Sequence, residues 1–491
     1  MTVISEQAPV RRRRAPRAGL AKWAPLGVLL CGTFMYVLDF FVVNVALPDI
    51  QRSLGAGSAA IEWVVAGYAL TTASLLVTGG RLGDHYGRRR WFAIGVAVFV
   101  ATSALCALAP DAGFLVAARL GQGVGAAIMS PNVLSILGVT YAGRDRIRAI
   151  TAYGITMGLA AAGGQLLGGI LISANVAGLG WRVIFWVNVP VGVAALALVR
   201  RLVPESRAAS TGRLDLTGVA LLTAALVAIV LPLLDGRQAG WPAWAWGCLA
   251  AGPLLLAAFA GWLRLAKRRG GQPLLDPAIF AVRTLRAGLT VQVLFWCQQA
   301  AGYLVLALYL QQGRGLSPVA SGGVFSVLAA GYLLTSFPAP ALTMRFGRGV
   351  VTAGGLVGAL GDGLLLLAGW HWGAGGPLLA LLPGLLLLGA GQGLCLTPLT
   401  TTVLSQASPA TAGSVSGALS TAQQVGNAIG VAVTGVVFYG LAGQGMRIAF
   451  SWSVAQMGVL LLAVAALTII LPRREPRPQT GPTPSHSSAE G

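Results

Sequence analysis

The segment Gly80-Arg-Leu-Gly-Asp-His-Tyr-Gly-Arg-Arg-Arg90 lies between two long apolar stretches and is the most informative part of the chain. Its glycines Gly80, Gly83 and Gly87 allow a tight turn and a close approach of the flanking helices. Asp84 is the only acid among the four arginines of the segment. A carboxylate at a helix end commonly binds a neighbouring cation or a facing helix N-terminus. The segment therefore predicts a locked basic turn, because a generic basic loop would not require this glycine and aspartate spacing.

The composition indicates a membrane environment. Of the 491 residues, 56% are hydrophobic and only 10% are charged, and the mean hydropathy is +0.76. A helix needs about 20 apolar residues to cross a hydrocarbon layer of about 30 Å. Fourteen stretches meet this requirement: 24–47, 61–82, 91–109, 113–138, 149–172, 183–201, 214–234, 243–263, 285–311, 320–343, 350–370, 377–404, 413–440 and 449–471. They predict one all-α integral membrane protein in a lipid bilayer, not a row of soluble domains.

The distribution of the +20 net charge predicts the orientation of the chain. If the N-terminus is cytosolic and the spans alternate, 28 of the 34 lysines and arginines lie in cytosolic segments and five lie in outer loops. The remaining one, Arg119, lies inside a span. This asymmetry is the positive-inside signature of membrane proteins. We therefore expect a multi-pass protein of the plasma membrane with both termini in the cytosol, and no nucleic-acid partner.

A weak internal repeat divides the chain. Leu82-x-x-x-Tyr-Gly-Arg88 recurs as Leu342-x-x-x-Phe-Gly-Arg348, and Gly121-Gln-Gly123 recurs as Gly391-Gln-Gly393. Both repeats lie eight spans apart, which predicts two six-helix bundles separated by two inserted helices. The predicted parts are a basic tail (1–23), an N-terminal bundle (24–201), a linker with the two extra spans (202–284), a C-terminal bundle (285–471) and a cytosolic tail (472–491).

Several motifs resemble one transporter family. The turn is similar to the Gly-x-Leu-x-Asp-x-x-Gly-Arg-Lys/Arg loop of the major facilitator superfamily, with matches at Gly80, Leu82, Asp84, Gly87, Arg88 and Arg89. The stretch Leu38–Pro48 resembles the first-helix motif of the fourteen-helix drug:proton antiporters, with Phe41 in place of the usual threonine. The stretch Gly164–Gly169 resembles their fifth-helix antiporter motif, with Gln165 in place of the proline.

This resemblance implies the major facilitator fold and alternating access, with a transporter that acts as a monomer. The expected function is export of a lipophilic small molecule, such as a drug, antibiotic or dye, in exchange for protons. The proton gradient would supply the energy, and no cofactor is implied. A solute:proton symporter that imports a small metabolite is the alternative, which the Gln165 substitution keeps open.

Charged residues inside spans are the candidates for proton coupling, since a charge near the bilayer centre costs several kcal/mol. Asp39 lies roughly 14 Å from the outer end of the first span, and Arg119 lies roughly 9–10 Å deep in the fourth. These depths predict an ion pair. Asp39 is either a proton carrier or a structural tie between two helices. Asp362 is a third candidate, for which hydrogen-bonded packing is the simpler interpretation.

The resemblance also implies gating and cavity residues. Conformational gating is assigned to Gly80, Asp84, Gly87 and Arg88 in the turn and to Gly164, Gly168 and Gly169 on the fifth helix, although small residues also serve any tight helix pair. The candidate cavity residues are Tyr36, Phe40, Asn44, Gln122, Gln165, Gln292, Trp296, Gln299 and Tyr303. Hydrogen bonding between helices is an equal explanation for the glutamines.

An enzyme is the third class of function to consider. A membrane-embedded enzyme needs several catalytic residues at one depth, yet His85, His371 and His486 all lie outside the predicted spans. The five cysteines lie singly within spans, and no phosphate-binding loop is present. The sequence therefore predicts no metal site and no enzyme activity, and transport driven by an ion gradient.

Overall fold

A computed structural model describes residues 20–207, 214–406 and 412–470. The predicted tails therefore lie outside the described residues, apart from residues 20–23. Within these ranges, thirteen helices are long and apolar enough to cross a membrane. A further helix is bent by 47° between Gly143–Ala161 and Gly163–Ala174, and it makes fourteen when both parts count as one span.

The helices are named in chain order. They are α1 (Leu20–Leu54), α2 (Ser58–Tyr86), α3 (Arg88–Ala107), α4 (Ala112–Thr140), α5 (Gly143–Ala174), α6 (Asn188–Leu202), α7 (Leu216–Asp235), α8 (Ala243–Arg268), α9 (Arg283–Leu308), α10 (Pro318–Ser336), α11 (Gly349–Trp372), α12 (Leu382–Leu404), α13 (Ala412–Ala442) and α14 (Met446–Leu467). Short helices at Val183–Trp186, Ala278–Ala281 and Ala339–Phe346 precede α6, α9 and α11. No strand occurs in the described part of the chain.

Polar side chains and glycines define where several helices begin and end. Asp111, Asp215 and Ser317 accept hydrogen bonds from backbone N–H groups in the first turns of α4, α7 and α10. Each of these caps satisfies an N–H group that has no partner within its helix. The turn from α2 to α3 is made at Gly87, whose φ of +117° favours glycine.

The same packing occurs in both bundles. In the N-terminal bundle, α4 packs against α2 and α3, whereas α6 packs against α1 and α3, and α5 packs against α1. In the C-terminal bundle, α12 packs against α10 and α11, α14 packs against α9 and α11, and α13 packs against α9. Each contact thus recurs eight helices later. The fold is two six-helix bundles with α7 and α8 inserted between them.

Side-chain contacts group the helix ends on two faces. At one face, which we call the basic face, Lys22 at the start of α1 pairs with Asp145 at the start of α5, and Arg89 pairs with Glu205 beyond the end of α6. At the other face, which we call the opposite face, the Trp181 indole donates to Ser53 Oγ over 2.6 Å. Successive helices therefore run in alternating directions.

The two bundles meet along two seams, α5 with α10 and α2 with α13. Near the opposite face the α5–α10 seam is very close, because a Cβ at Gly169 would lie 2.5 Å from the Pro318 carbonyl oxygen. Nearby, Gln311 lies in the helical turn Tyr309–Gly313 that follows α9, and its Nε2 donates to the Val45 carbonyl of α1 over 2.8 Å. Toward the basic face, a Cβ at Gly154 would meet no atom within 4 Å. A Cβ at Gly158, between these two levels, would lie 3.6 Å from Tyr332 of α10. The α5–α10 seam is therefore closest near the opposite face and wider toward the basic face.

The inserted hairpin of α7 and α8 lies beside the second seam. Helix α7 packs against α8, α2 and α13, so it contacts both bundles. At the opposite face, the Trp63 indole of α2 donates to Asp235 at the end of α7 over 3.2 Å. At the basic face, Arg81 donates to the carbonyl groups of Gln272 and Pro273, which follow α8. The hairpin is thus attached to α2 at both ends.

Reporter fusions test this topology. A fusion after Arg207, which follows α6, should report the cytosol, and a fusion after Gln238, between α7 and α8, should report the outside, because α7 crosses the membrane once. Alkaline phosphatase activity and fluorescence of a green fluorescent protein measure the two sides. Equal signals at both positions would contradict the insertion of a membrane hairpin.

Candidate functional site

A buried ion pair joins two helices of the N-terminal bundle. Arg119 of α4 donates through Nη1 to Asp39 Oδ2 of α1, and both side chains are 0% exposed. The depth estimate from the sequence placed these residues at similar levels, and the structure brings them together. A fully buried charge pair is tolerated when further hydrogen bonds satisfy its remaining polar atoms.

The second oxygen of Asp39 binds two amide groups. Asp39 Oδ1 accepts from Gln122 Nε2 of α4 over 2.8 Å and from Asn188 Nδ2 of α6 over 3.0 Å. The same two amides also donate to Ser103 Oγ of α3, over 2.7 Å and 3.4 Å. One carboxylate thus connects α1 with α3, α4 and α6.

The Arg119 guanidinium is held as firmly as its partner. Arg119 Nε donates to the Val64 carbonyl of α2 over 2.9 Å, and Nη1 donates to Gln122 Oε1 over 2.6 Å. Its Cζ lies 4.5 Å from the centroid of the Tyr68 ring, a cation–π distance. Nη2 has no hydrogen-bond partner among the described residues. The guanidinium therefore retains one donor nitrogen for a ligand or a water molecule.

This arrangement couples protonation to packing. If Asp39 binds a proton, the charge of Arg119 is left without its counter-ion in a dry environment. Breaking one partner of a buried pair typically costs about 3–5 kcal/mol. Asp39 and Arg119 hydrogen-bond groups of α1, α2, α4 and α6, and α3 joins the network through Ser103. Loss of either charge would therefore leave buried polar groups on several helices without a partner.

Three of the nine candidate cavity residues form hydrogen bonds with other groups of the protein. Gln122 belongs to the ion-pair network, and Gln165 Nε2 of α5 donates to the Phe41 carbonyl of α1 over 2.8 Å. Asn44 donates to carbonyl groups one turn earlier on its own helix. The two glutamines therefore form hydrogen bonds within the N-terminal bundle, which was the alternative to a role in the cavity.

The aromatic candidates lie on α1 and α9, where the two bundles face each other. Tyr303 packs edge-on against Phe41 with 5.0 Å between ring centroids and stacks on Phe325 of α10 at 5.5 Å. The hydroxyl groups of Tyr36 and Tyr153 lie 3.2 Å apart and connect α1 with α5. Phe40 packs beside Tyr68, the residue that covers Arg119. These rings connect the ion pair to the contact between the bundles.

Helix α9 contributes buried polar groups that lack partners. Trp296 Nε1, both amide atoms of Gln298 and Gln299 Oε1 have no hydrogen-bond partner within the described ranges. Gln292 is also buried on this helix, at 3% exposure. Polar groups at membrane depth require a protein partner, water or a ligand. These groups of α9 are therefore available to a water molecule or a polar ligand.

Asp362 of α11 lies in a small cavity of the C-terminal bundle. The cavity has a volume of about 20 Å³. Its lining residues include Gln299, Tyr303 and Gln392. This is sufficient for one water molecule. Neither carboxylate oxygen of Asp362 has a hydrogen-bond partner in the described part of the protein. Asp362 therefore has no hydrogen-bond donor among the described residues, and its role stays a prediction.

The basic turn is locked within its own bundle. Arg88 Nε donates to Asp84 Oδ1 over 2.7 Å, so the partner of Asp84 is the cation four residues later. The turn is also tied to the segment after α6, because the Arg88 backbone N–H donates to the Ser206 carbonyl over 2.9 Å. Gly80 lies close to α4, where its Cβ would be 3.3 Å from Pro131. These contacts fix the ends of α2 and α3 relative to α4 and α6.

The glycines of α5 serve two different contacts. A Cβ at Gly164 would lie 3.1 Å from Phe41 Cβ, and one at Gly168 would lie 2.6 Å from Val42 Cγ2, so both allow α5 to approach α1. Gly169 instead faces α10 of the other bundle. The glycine face therefore forms part of the N-terminal bundle and part of the seam.

Sequence reasoning missed two features of the site. Asn188 and Ser103 bind the Asp39 network, but neither carries a charge that would mark it within an apolar span. Glu62 is not among the buried charges that the sequence predicts, although its side chain is buried near the start of α2, with 1% exposure. A polar cluster at this place could have been inferred from its neighbour Trp63 and from the charged residues Asp235 and Arg237.

Comparison with known proteins identifies the family. The model of the Major Facilitator Superfamily matches residues 29–431, so the chain belongs to this superfamily. The probable actinorhodin transporter of Streptomyces coelicolor is 37% identical over 426 residues, which cover 86% of this chain and 73% of that protein. The puromycin resistance protein pur8 of Streptomyces alboniger is 35% identical over 482 residues, which cover 94% of this chain and 93% of that protein.

A solved structure shares the fold. A POT family transporter in complex with 5-aminolevulinic acid has a TM-score of 0.67 at 16% identity, covering 91% of this chain and 95% of that chain. At this identity the likeness concerns the fold alone. Membership of the superfamily shows that this protein is a membrane transporter and not an enzyme.

Substitution of Asp84 tests the role of the turn. Asp84→Asn should leave expression and folding intact but slow transport, because it removes the charge that binds Arg88. An interaction at a helix end contributes about 0.3–2 kcal/mol, so the rate should fall by up to about thirtyfold. Transport in proteoliposomes measures the effect.

The matched control is Asp111→Asn, since Asn at that position still caps α4. This variant should keep the wild-type rate. If a well-expressed Asp84→Asn protein has an unchanged transport rate, the turn serves only to orient the chain in the membrane.

Proposed function

We propose that the protein exports a lipophilic small molecule across the plasma membrane in exchange for protons. Two relatives carry names of an antibiotic transporter and an antibiotic resistance protein, which supports an antibiotic-like cargo. The basic face is assigned to the cytosol, in agreement with the positive-inside rule. The proton gradient supplies the energy, so the proposal requires no cofactor, and each monomer contains the complete set of proposed site residues.

The observation that carries this proposal is the buried contact between Asp39 and Arg119. A carboxylate in this position can exchange a proton for another positive charge, since burial favours its neutral form whereas Arg119 or a cationic cargo favours the ionised form. Cargo that enters from the cytosol would expel the proton. A proton that arrives from outside would then expel the cargo.

The packing of the bundles supports the direction of entry. The opposite face is closed by the α5–α10 seam and by the hydrogen bond from Gln311 to Val45, and the α5–α10 seam is wider toward the basic face. Cargo from the cytosol would reach the aromatic rings of Tyr36 and Tyr303 and the unpartnered polar groups of Trp296 and Gln299. Aromatic surfaces with a few polar atoms suit a lipophilic compound.

One proton per cycle provides enough energy for useful accumulation. Its inward movement supplies about 2.3 kcal/mol per 100 mV and about 1.4 kcal/mol per pH unit. At 100 mV and one pH unit, the total of about 3.7 kcal/mol supports a cargo gradient of several hundredfold.

Substitution of Asp39 tests the mechanism. Asp39→Asn retains the size and polarity of the side chain but removes its titrating proton, so it should abolish uphill export while cargo binding stays measurable. Cargo binding releases a proton in this mechanism, so the affinity of the wild type for a cationic cargo should rise with pH, by about tenfold per pH unit at most. The affinity of Asp39→Asn should be nearly independent of pH. Dye efflux from energised vesicles and equilibrium binding measure the two effects.

Two further variants separate coupling from structure. Asp39→Asn leaves the charge of Arg119 unpaired, so the double variant Asp39→Asn/Arg119→Gln restores a neutral, hydrogen-bonding pair and should fold but still not export. Asp49→Asn, at the outer end of the same helix, should export normally. Proton-dependent efflux at the wild-type rate in either Asp39 variant would make Asp39 a structural tie, and proton-driven uptake of the same compound would favour the symporter.

A further inference from the structure

A second acid lies directly on the seam between α2 and α13. Glu62, in the second turn of α2, is 1% exposed. A Cβ at Gly435 of α13 would lie 2.5 Å from the Glu62 carboxylate carbon, so the carboxylate occupies the space that a larger residue at Gly435 would need. The carboxylate of one bundle therefore rests on the backbone of the other.

The carboxylate is poorly compensated in this position. Neither of its oxygens accepts a hydrogen bond from any described residue. The nearest cation is Arg237, from the loop between α7 and α8, whose Nη2 lies 3.8 Å from Glu62 Oε1. Asp235 is the other charged group nearby, and it accepts from the Trp63 indole. The titratable group of α13 that interacts with Glu62 is Tyr439.

Arg237 connects both sides of the seam. It donates to Ser58 Oγ at the start of α2, and its Cζ lies 5.3 Å from the ring centroid of Tyr439 on α13. Its side chain is 21% exposed, so it lies between Glu62 and the surface of the opposite face. The inserted hairpin therefore places a cation across the seam, above the buried acid.

Burial of Glu62 depends on its protonation. An ionised carboxylate without hydrogen bonds is strongly disfavoured away from water, and one cation at 3.8 Å compensates for this only in part. If α2 and α13 separate at the opposite face, the carboxylate loses its contact with Gly435 and becomes hydrated. Hydration makes the ionised form favourable again. Proton binding and closure of this seam must then stabilise each other.

We propose that Glu62 is a second proton-binding residue of the transport cycle, whose protonation closes the α2–α13 seam at the opposite face. The hairpin of α7 and α8 contributes Arg237, which partly compensates the negative charge of Glu62 while the seam is closed. The inference rests on the proposed function for the orientation of this face toward the outside. A proton from outside would bind Glu62 in the open state and allow closure, independently of the proton that exchanges at Asp39.

Distance measurements between the bundles test this proposal without any cargo. Spin labels at cysteines introduced in place of Gly57, before α2, and Gln444, beyond α13, report the width of the seam by pulsed electron resonance. The labels are placed in a full-length variant without the native cysteines. The wild-type background should be mostly closed at acidic pH and should open as the pH rises, with a closed-to-open ratio that changes by about tenfold per pH unit at most.

The variants give distinct patterns. Glu62→Gln should stay closed at every pH, because its side chain cannot ionise. Arg237→Gln should match the wild-type background at acidic pH and be more open at alkaline pH, since only the ionised acid uses the cation. Asp49→Asn, which changes an acid at the same face outside the seam, should leave the pH response unchanged.

The outcome separates this inference from the proposed function. A seam width that does not depend on pH, or a pH response that Glu62→Gln retains, would overturn the role of Glu62. If Glu62→Gln does not fold, an Arg237→Gln protein with the wild-type response at all pH values would overturn it equally. A normal seam response in a protein that exports no lipophilic compound would reject the proposed cargo and leave the inference on Glu62 in place.

Discussion

The ion pair of Asp39 and Arg119 is the interaction on which the N-terminal bundle depends. Water cannot solvate these charges, so each must be compensated by protein groups. Asn188 of α6, Ser103 of α3 and the Val64 carbonyl of α2 complete the network around the pair and Gln122. The bundle is therefore organised around a polar centre whose hydrogen bonds come from five helices.

The two bundles share their packing but not their electrostatics. Gln392 of α12 repeats the position of Gln122, whereas Gly389 stands where α4 has Arg119. A Cβ at Gly389 would lie 2.8 Å from the Leu328 carbonyl carbon, so this glycine serves close packing of α12 against α10. The acid of this bundle, Asp362, lies in a small cavity with no cation among its lining residues. The buried acid of the second bundle thus lacks the compensating cation that Asp39 has in the first.

Glycine makes the contacts between the bundles possible. Gly169 and Gly322 bring α5 and α10 into backbone contact, and Gly435 admits the Glu62 carboxylate at the other seam. Contacts between helices in lipid rely on such close approach, since apolar side chains gain little by leaving lipid for another helix. A seam that is built on small residues and one buried acid can close tightly and yet remain sensitive to a single proton.

The sequence by itself determined the membrane location, the fourteen spans, the repeat across eight helices and the common depth of Asp39 and Arg119. These properties follow from the length of apolar stretches and the position of charges along the chain. The tertiary structure decided the partners: Asn188 and Ser103 at Asp39, Arg88 at Asp84, and Gly435 at Glu62. Membrane helices are apolar on the lipid side and the protein side alike, so hydropathy does not show which face of a helix is buried or which distant helix lies against it.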